Sequence, residues 1–246
     1  MLKIAVLAVL LGACTVIAQA AGVRQDAKAI EVLNQMAAYK ASLDQVAIKA
    51  VTLTDARLGG GLMVSNSEEV HASINRPGSI RIKSFDGVVK KGLYFHDGLL
   101  TVYNSENKFY AQANVPKDID AAMGFALEEF DVEAPMMDLL YSDASTHLVD
   151  SDVTVIYLTD KSRIGGMDCH HLAIRGPESD VQLWVQEGDQ PLPRKIIITS
   201  KWEGGSPRFT ANLSWETDPK FKPGFFQFKA PEGATKIEFI REGSAQ

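Results

Sequence analysis

The repeat of the apolar residues constrains this chain more than any other feature, because from Gln45 onward its period is two. In Ser79-Ile80-Arg81-Ile82-Lys83 every second side chain is apolar. From Arg208 to Glu216, Phe209, Ala211, Leu213 and Trp215 alternate with polar neighbours in the same way. Successive side chains of a strand point to opposite faces, so these segments are strands with one apolar face and one wet face. Gln45 to Val51, Leu93 to Phe95, Leu99 to Tyr103, Phe109 to Ala113, Val153 to Thr159, Met167 to Arg175, Val181 to Glu187 and Arg194 to Trp202 read alike. Phe226 and Phe228 read as the penultimate strand and Ile237 to Ile240 as the last. His96-Asp97-Gly98 carries a tight-turn signal, and Leu58-Gly59-Gly60-Gly61-Leu62 reads as a flexible hairpin end.

A sheet of about ten or eleven twisted antiparallel strands has to curl. Its concave face is then apolar and must be covered. Two regions of helical period are available for that. Over 26–42, Ala29, Ile30, Leu33, Met36 and Ala37 form one stripe. Over 117–141, Pro116-Lys117-Asp118 opens a helix through Met123, Leu127 and Phe130, and Pro135 opens a second, from Met136 to Tyr141. The expected fold is mainly β: one strongly curved antiparallel sheet, a half-barrel, with helices as its lid. No Pro/Gly/Ser-rich linker and no repeat divides residues 21–246, so they are expected to be a single domain.

A sheet roofed by helices encloses apolar space, and such space holds ligands when side chains do not fill it. The residues expected to line it are Leu33, Met36, Ile80, Ile82, Leu100, Val102, Met123, Leu127, Met136, Leu140, Leu183, Ile196 and Ile198. Methionines in the lid suit varied apolar partners, because their side chains adapt.

Residues 1–20 have the anatomy of an export signal: Lys3, an apolar run from Ile4 to Leu11 extended by Cys14 to Ile17, then Ala18-Gln19-Ala20 with small residues at a cleavage site. Cleavage is expected after Ala20. Leu11-Gly12-Ala13-Cys14 offers a lipoprotein alternative, but the segment stays apolar beyond Cys14 where a tether would turn polar. With Ala20 removed, Cys169 is the remaining cysteine, so stability must come from core burial rather than an internal disulfide. A net charge of -6 and no Lys/Arg cluster beyond pairs such as Lys90-Lys91 argue against nucleic acid as a partner.

Met167-Asp168-Cys169-His170-His171-Leu172 holds several possible metal ligands. On a strand, Cys169 and His171 point one way while Asp168 and His170 point the other. Cys169 and His171 would therefore need help from His71, His96 or His147 to hold a metal, and His170 is badly placed to act as a base for Cys169. A packed cysteine with hydrogen-bonded histidines is the better reading. No G-x-S-x-G, H-E-x-x-H, C-x-x-C, P-loop or Rossmann glycine pattern appears. The chain is read as a non-enzyme with no cofactor.

Several stretches carry a family likeness: Cys169-His170-His171-Leu172-Ala173-Ile174-Arg175, Val181-Gln182-Leu183-Trp184-Val185 and Pro191-Leu192-Pro193-Arg194-Lys195-Ile196-Ile197-Ile198-Thr199. Asn75-Arg76-Pro77, Asp97-Gly98 and Tyr110-Ala111 before Pro116 add to them. Together they resemble a domain-of-unknown-function family of predicted periplasmic proteins, itself similar to the LolA/LolB-like lipoprotein carriers. The resemblance implies a half-barrel closed by helices, a periplasmic location, and a hydrophobic ligand such as lipid or lipoprotein acyl chains. Relatives on that fold also serve as envelope sensors or interaction modules, which is the alternative expectation. A metal- or Cys-dependent enzyme built on 168–171 ranks below both.

Overall fold

A computed structural model describes residues 25–132, 136, 140, 153–202 and 204–240. The export signal and most of the second expected lid helix lie outside these residues. Two helices have their bounds among the described residues, α1 (Ala27–Ala41) and α2 (Ile119–Phe130). The strands are β1 (Gln45–Arg57), β2 (Met63–Asn75), β3 (Ser79–Phe85), β4 (Lys90–His96), β5 (Leu99–Asn104), β6 (Phe109–Asn114), β7 (Thr154–Ile164), β8 (Met167–Arg175), β9 (Ser179–Gln186), β10 (Pro193–Ser200), β11 (Arg208–Glu216) and β12 (Thr235–Ile237).

All the strands belong to a single open curved sheet in the order β12-β6-β5-β4-β3-β2-β1-β11-β10-β9-β8-β7. Two antiparallel meanders, β1 to β6 and β7 to β11, meet where β1 pairs with β11, from Ala47 opposite Glu216 to Thr54 opposite Phe209. Register keeps the apolar set on one side. Ile48 lies opposite Ala72, which lies opposite Ile82, then Leu93. On the other wing Ile196 lies opposite Leu183, and Leu183 opposite Leu172. A one-residue slip anywhere would turn this wall to water, so burial itself fixes the pairing.

Local chemistry sets the element ends. Asp26 caps α1, its carboxylate accepting from the Lys28 and Ala29 amides at 2.9 and 3.4 Å. Asp118 caps α2 in the same way, accepting from Asp120 N and Ala121 N. Removing the first cap by Asp26→Ala is expected to cost about 1 kcal/mol, read by urea denaturation. Asp97 and Gly98 take φ of 47° and 81°, the left-handed pair that a two-residue hairpin needs. The Gly-rich stretch forms a short 3-10 turn, Gly59–Gly61, between β1 and β2.

Two strand expectations are corrected. β2 is the partner that the Gly-rich hairpin end implies, but its extent leaves no mark in the sequence: Met63-Val64-Ser65-Asn66-Ser67-Glu68-Glu69 is polar at most positions, and Val70, Ala72 and Ile74 are its buried apolar residues. Phe226 and Phe228 do not form a strand. Residues 217–234 run as a strap of turns and irregular chain, and Phe228 sits among Tyr94, Tyr103 and Tyr110 on the sheet's outer face, with ring centroids 5.1 to 5.7 Å apart. Arg81 holds the strap by donating to Phe225 O at 3.0 Å and lying 4.4 Å over the Phe225 ring. The Phe-Gln-Phe alternation therefore reflects packing on aromatic side chains, while Pro223, Gly224 and Pro231 keep this stretch from laddering. The final strand comes earlier than expected, at Thr235–Ile237, and pairs in parallel with β6.

Candidate functional site

The inner wall and its helices form one continuous hydrophobic cluster. α1 contributes Ala29, Val32, Leu33 and Met36, and α2 contributes Ile119, Ala122, Met123 and Ala126. Most of the expected lining residues belong to this cluster: Leu33, Met36, Ile80, Ile82, Leu100, Met123, Met136, Leu140, Leu183 and Ile196 are all buried. Ile198 packs against its edge, and Val102 is half-buried. Leu127 stands apart, 43% exposed, because it lies at the rim of the α2 stripe rather than beneath it.

Around part of this lining the side chains fill the space themselves. Met36, Ile80, Leu100 and Leu183 have no exposed surface. A side chain with none touches no void as large as a water molecule. At these positions α1 and the wall pack against each other without such a gap, as the hydrophobic effect favours for two apolar faces. Among the described residues, Asp26 N donates to Val155 O at the start of α1, Ile119 N donates to Pro77 O at the start of α2, and Arg76 Nη2 donates to Leu140 O at 2.8 Å.

The α1 stripe ends in a residue that sequence reading passed over. Lys40 follows Met36 by one helical turn on the same face and is 5% exposed. Its Nζ has no hydrogen-bond partner. Burial, reinforced by the nearby Arg76 cation and only partly offset by Asp120, pushes its pKa down to about 8. Arg76, in the turn between β2 and β3, lies 3.9 Å from the Asp120 carboxylate, and its own Nε is buried without a partner.

The 168–171 cluster does not converge. Cys169 is free, buried, and its thiol pKa is raised by that burial. His171 stacks on Trp184 with centroids 4.0 Å apart and bonds Gln182 Oε1 through Nε2 at 3.1 Å. Burial lowers its pKa, so the neutral ring is favoured. His170 turns to the opposite face, where it meets Tyr157 at 3.2 Å and Glu187 at 3.7 Å. Among the described residues no group of three or more His, Cys, Asp or Glu could hold a metal. Iodoacetamide is therefore expected to label Cys169 only after denaturation, read by peptide mass mapping, because the reactive thiolate is both inaccessible and disfavoured.

On the outer face the strap leaves two clefts of about 280 and 470 Å³. The first lies between Gln45, His96 and the Phe221 to Gln227 stretch, the second between Tyr94, Leu99, Thr101 and Phe228. No apolar pattern in the sequence could have announced them, since they depend on where the strap lies.

The family described as predicted periplasmic protein (DUF2092) matches residues 29–240, which take in the whole of the sheet, α2 and all but the first two residues of α1. The chain belongs to the DUF2092 family. That description agrees with the periplasmic location expected from the N-terminal segment. The curated proteins contain no match to this DUF2092 chain. Among solved structures it is similar to the lipoprotein LppX of Mycobacterium tuberculosis, at 11% identity and a TM-score of 0.48, over 80% of this chain and 99% of that one. It is also similar to the LolA superfamily protein NE2245 of Nitrosomonas europaea, at 10% identity and 0.39, over 81% and 97%. MucB in complex with MucA(peri) aligns at 16% identity and 0.42, over 82% and 60%. These scores are low, and the DUF2092 fold described above stands on its own strand order and register. No described helix is long and apolar enough to cross a membrane.

Proposed function

We propose that this chain is a periplasmic binding or carrier protein for an apolar ligand, lipid or the acyl chains of a lipoprotein, and that it acts without catalysis. One observation carries the reading. An apolar wall that runs from β5 across to β7 shares one hydrophobic cluster with α1 and α2, and the bonds from Asp26 N to Val155 O and from Ile119 N to Pro77 O lie at the starts of these helices. Apolar attraction is non-directional, so acyl chains can replace helical side chains against the wall at little net cost. The closed packing is then the ligand-free state, and Leu33, Met36, Met123, Met136, Leu140 and the wall residues beneath them are the surface that ligand would take over.

The test is native mass spectrometry after gentle extraction, followed by uptake of a fluorescent acyl probe into the delipidated protein. Co-purified acyl ligand and saturable probe uptake are expected. Absence of both would end the reading.

A protein-docking role is favoured by a different observation. Ile156 and Leu158 are exposed on β7, the terminal strand of the sheet, and apolar side chains presented to water on an outermost strand are a ready surface for another chain. Pull-down of an envelope protein by lipid-free protein, lost in Leu158→Lys, would select it.

A further inference from the structure

Lys40 is out of place in an apolar stripe. Positions 29, 33, 36 and 40 of α1 share one buried face, so the ammonium lies at the end of the same wall that Leu33 and Met36 cover. An ammonium buried without a hydrogen-bond partner is costly and rare. Here it lies beside a second cation, Arg76, whose Nε is also buried and unpartnered. Asp120, at 3.9 Å from Arg76, supplies one carboxylate near two positive groups. Among the described residues this corner therefore sets two cations, one buried and one half-buried, against one carboxylate, with two buried donor atoms left open beside an apolar surface.

We propose that Lys40 and Arg76 form a receptor for one anionic oxygen group, a carboxylate or phosphate, borne at the end of the apolar ligand. The inference rests on the reading of the wall as a ligand surface and adds the chemistry of the ligand's head. A carboxylate or phosphate is an acceptor only, with several lone-pair sites, and it matches the two open N–H donors where a neutral hydroxyl head would leave the charge excess standing. The tail would lie along the wall beneath Met36 and Leu33. Arg76 would keep its bond to Leu140 O through Nη2 while offering Nε.

Isothermal titration of the delipidated full chain at pH 7 with palmitate, hexadecanol and inorganic phosphate tests this. Palmitate is expected to bind at least about tenfold tighter than hexadecanol, the worth of one charge-assisted hydrogen bond. That gap is expected to vanish in Lys40→Met while hexadecanol binding persists. Circular dichroism verifies that the variant is folded, and Lys40→Gln serves as a second variant. Equal affinity for palmitate and hexadecanol in the wild type, or a gap that survives in both variants, overturns the anion receptor and leaves the apolar-ligand reading standing. Inorganic phosphate binding as tightly as palmitate overturns the linkage of head to tail in favour of a free-anion site. Binding of none of the three overturns both readings.

Discussion

Replacing Lys40 by methionine is expected to stabilise the ligand-free protein at pH 7 by about 3 kcal/mol. The folded-state pKa is about 8 against an ordinary 10.5, and each unit is worth about 1.4 kcal/mol. Below pH 8 the side chain is charged in both folded and unfolded chains, so the whole cost of burying the ammonium beside Arg76 is present. Between pH 8 and 10.5 the unfolded chain keeps a proton that the folded chain has given up. Stability from this group therefore rises with pH across that window and is level above it. Methionine has nearly the same length and no charge, so the variant should lack this rise. Urea denaturation of both proteins at pH 7 and pH 10 measures it: the advantage of Lys40→Met should be largest at the lower pH and shrink at the higher. A variant less stable than the wild type at pH 7 would contradict the account. A residue that weakens its own fold and serves the binding of a ligand is a familiar compromise between stability and function.

Phe95→Ala is expected to cost about 3–5 kcal/mol, the usual loss for a fully buried phenylalanine, through lost transfer energy plus the cavity left behind. Phe95 has no exposed surface and stands between Ile80 on β3 and Leu100 on β5, in the middle of the inner wall. In a chain of this size that corresponds to a fall in melting temperature of about 10 °C. Leu99→Ala, four residues along at a 43% exposed position, is the control and should change stability by less than about 0.5 kcal/mol. Calorimetry on the two variants separates a packed wall from a loosely covered one. A small loss at Phe95 would mean that the wall yields easily, as a surface adapted to guests would.

Much of the architecture was legible because the pleat of a strand leaves its mark on sequence. Ser79 to Lys83 and Arg208 to Glu216 alternate, and both proved to be central strands. The caps Asp26 and Asp118 marked the helix starts for the same local reason. β2 escaped because half of it faces water on both sides, so its period carries no apolar signal. The strap escaped in the opposite way, since Phe226 and Phe228 mimic a strand while packing on side chains. Lys40 was the most consequential omission. A lysine in the last turn of a helix reads as a cation complementing the dipole in water. The charges that act on it there are Arg76, thirty-six positions later, and Asp120 on α2 beyond that. Local pattern records which face of an element is apolar; it does not record which distant element comes to rest on a single polar atom.

The route of the strap has a bearing on biogenesis. Residues 217–234 cross the back of the molecule so that Thr235 to Ile237 can pair with β6, the far border of a sheet whose other strands are complete by Glu216. A chain emerging from a translocation channel would thus hold its entire meander while one flank still offered bare amides and carbonyls to its neighbours. Loss of the closing stretch by proteolysis would recreate that condition in the finished protein, leaving a sheet with a sticky hem and an uncovered aromatic cluster around Tyr94.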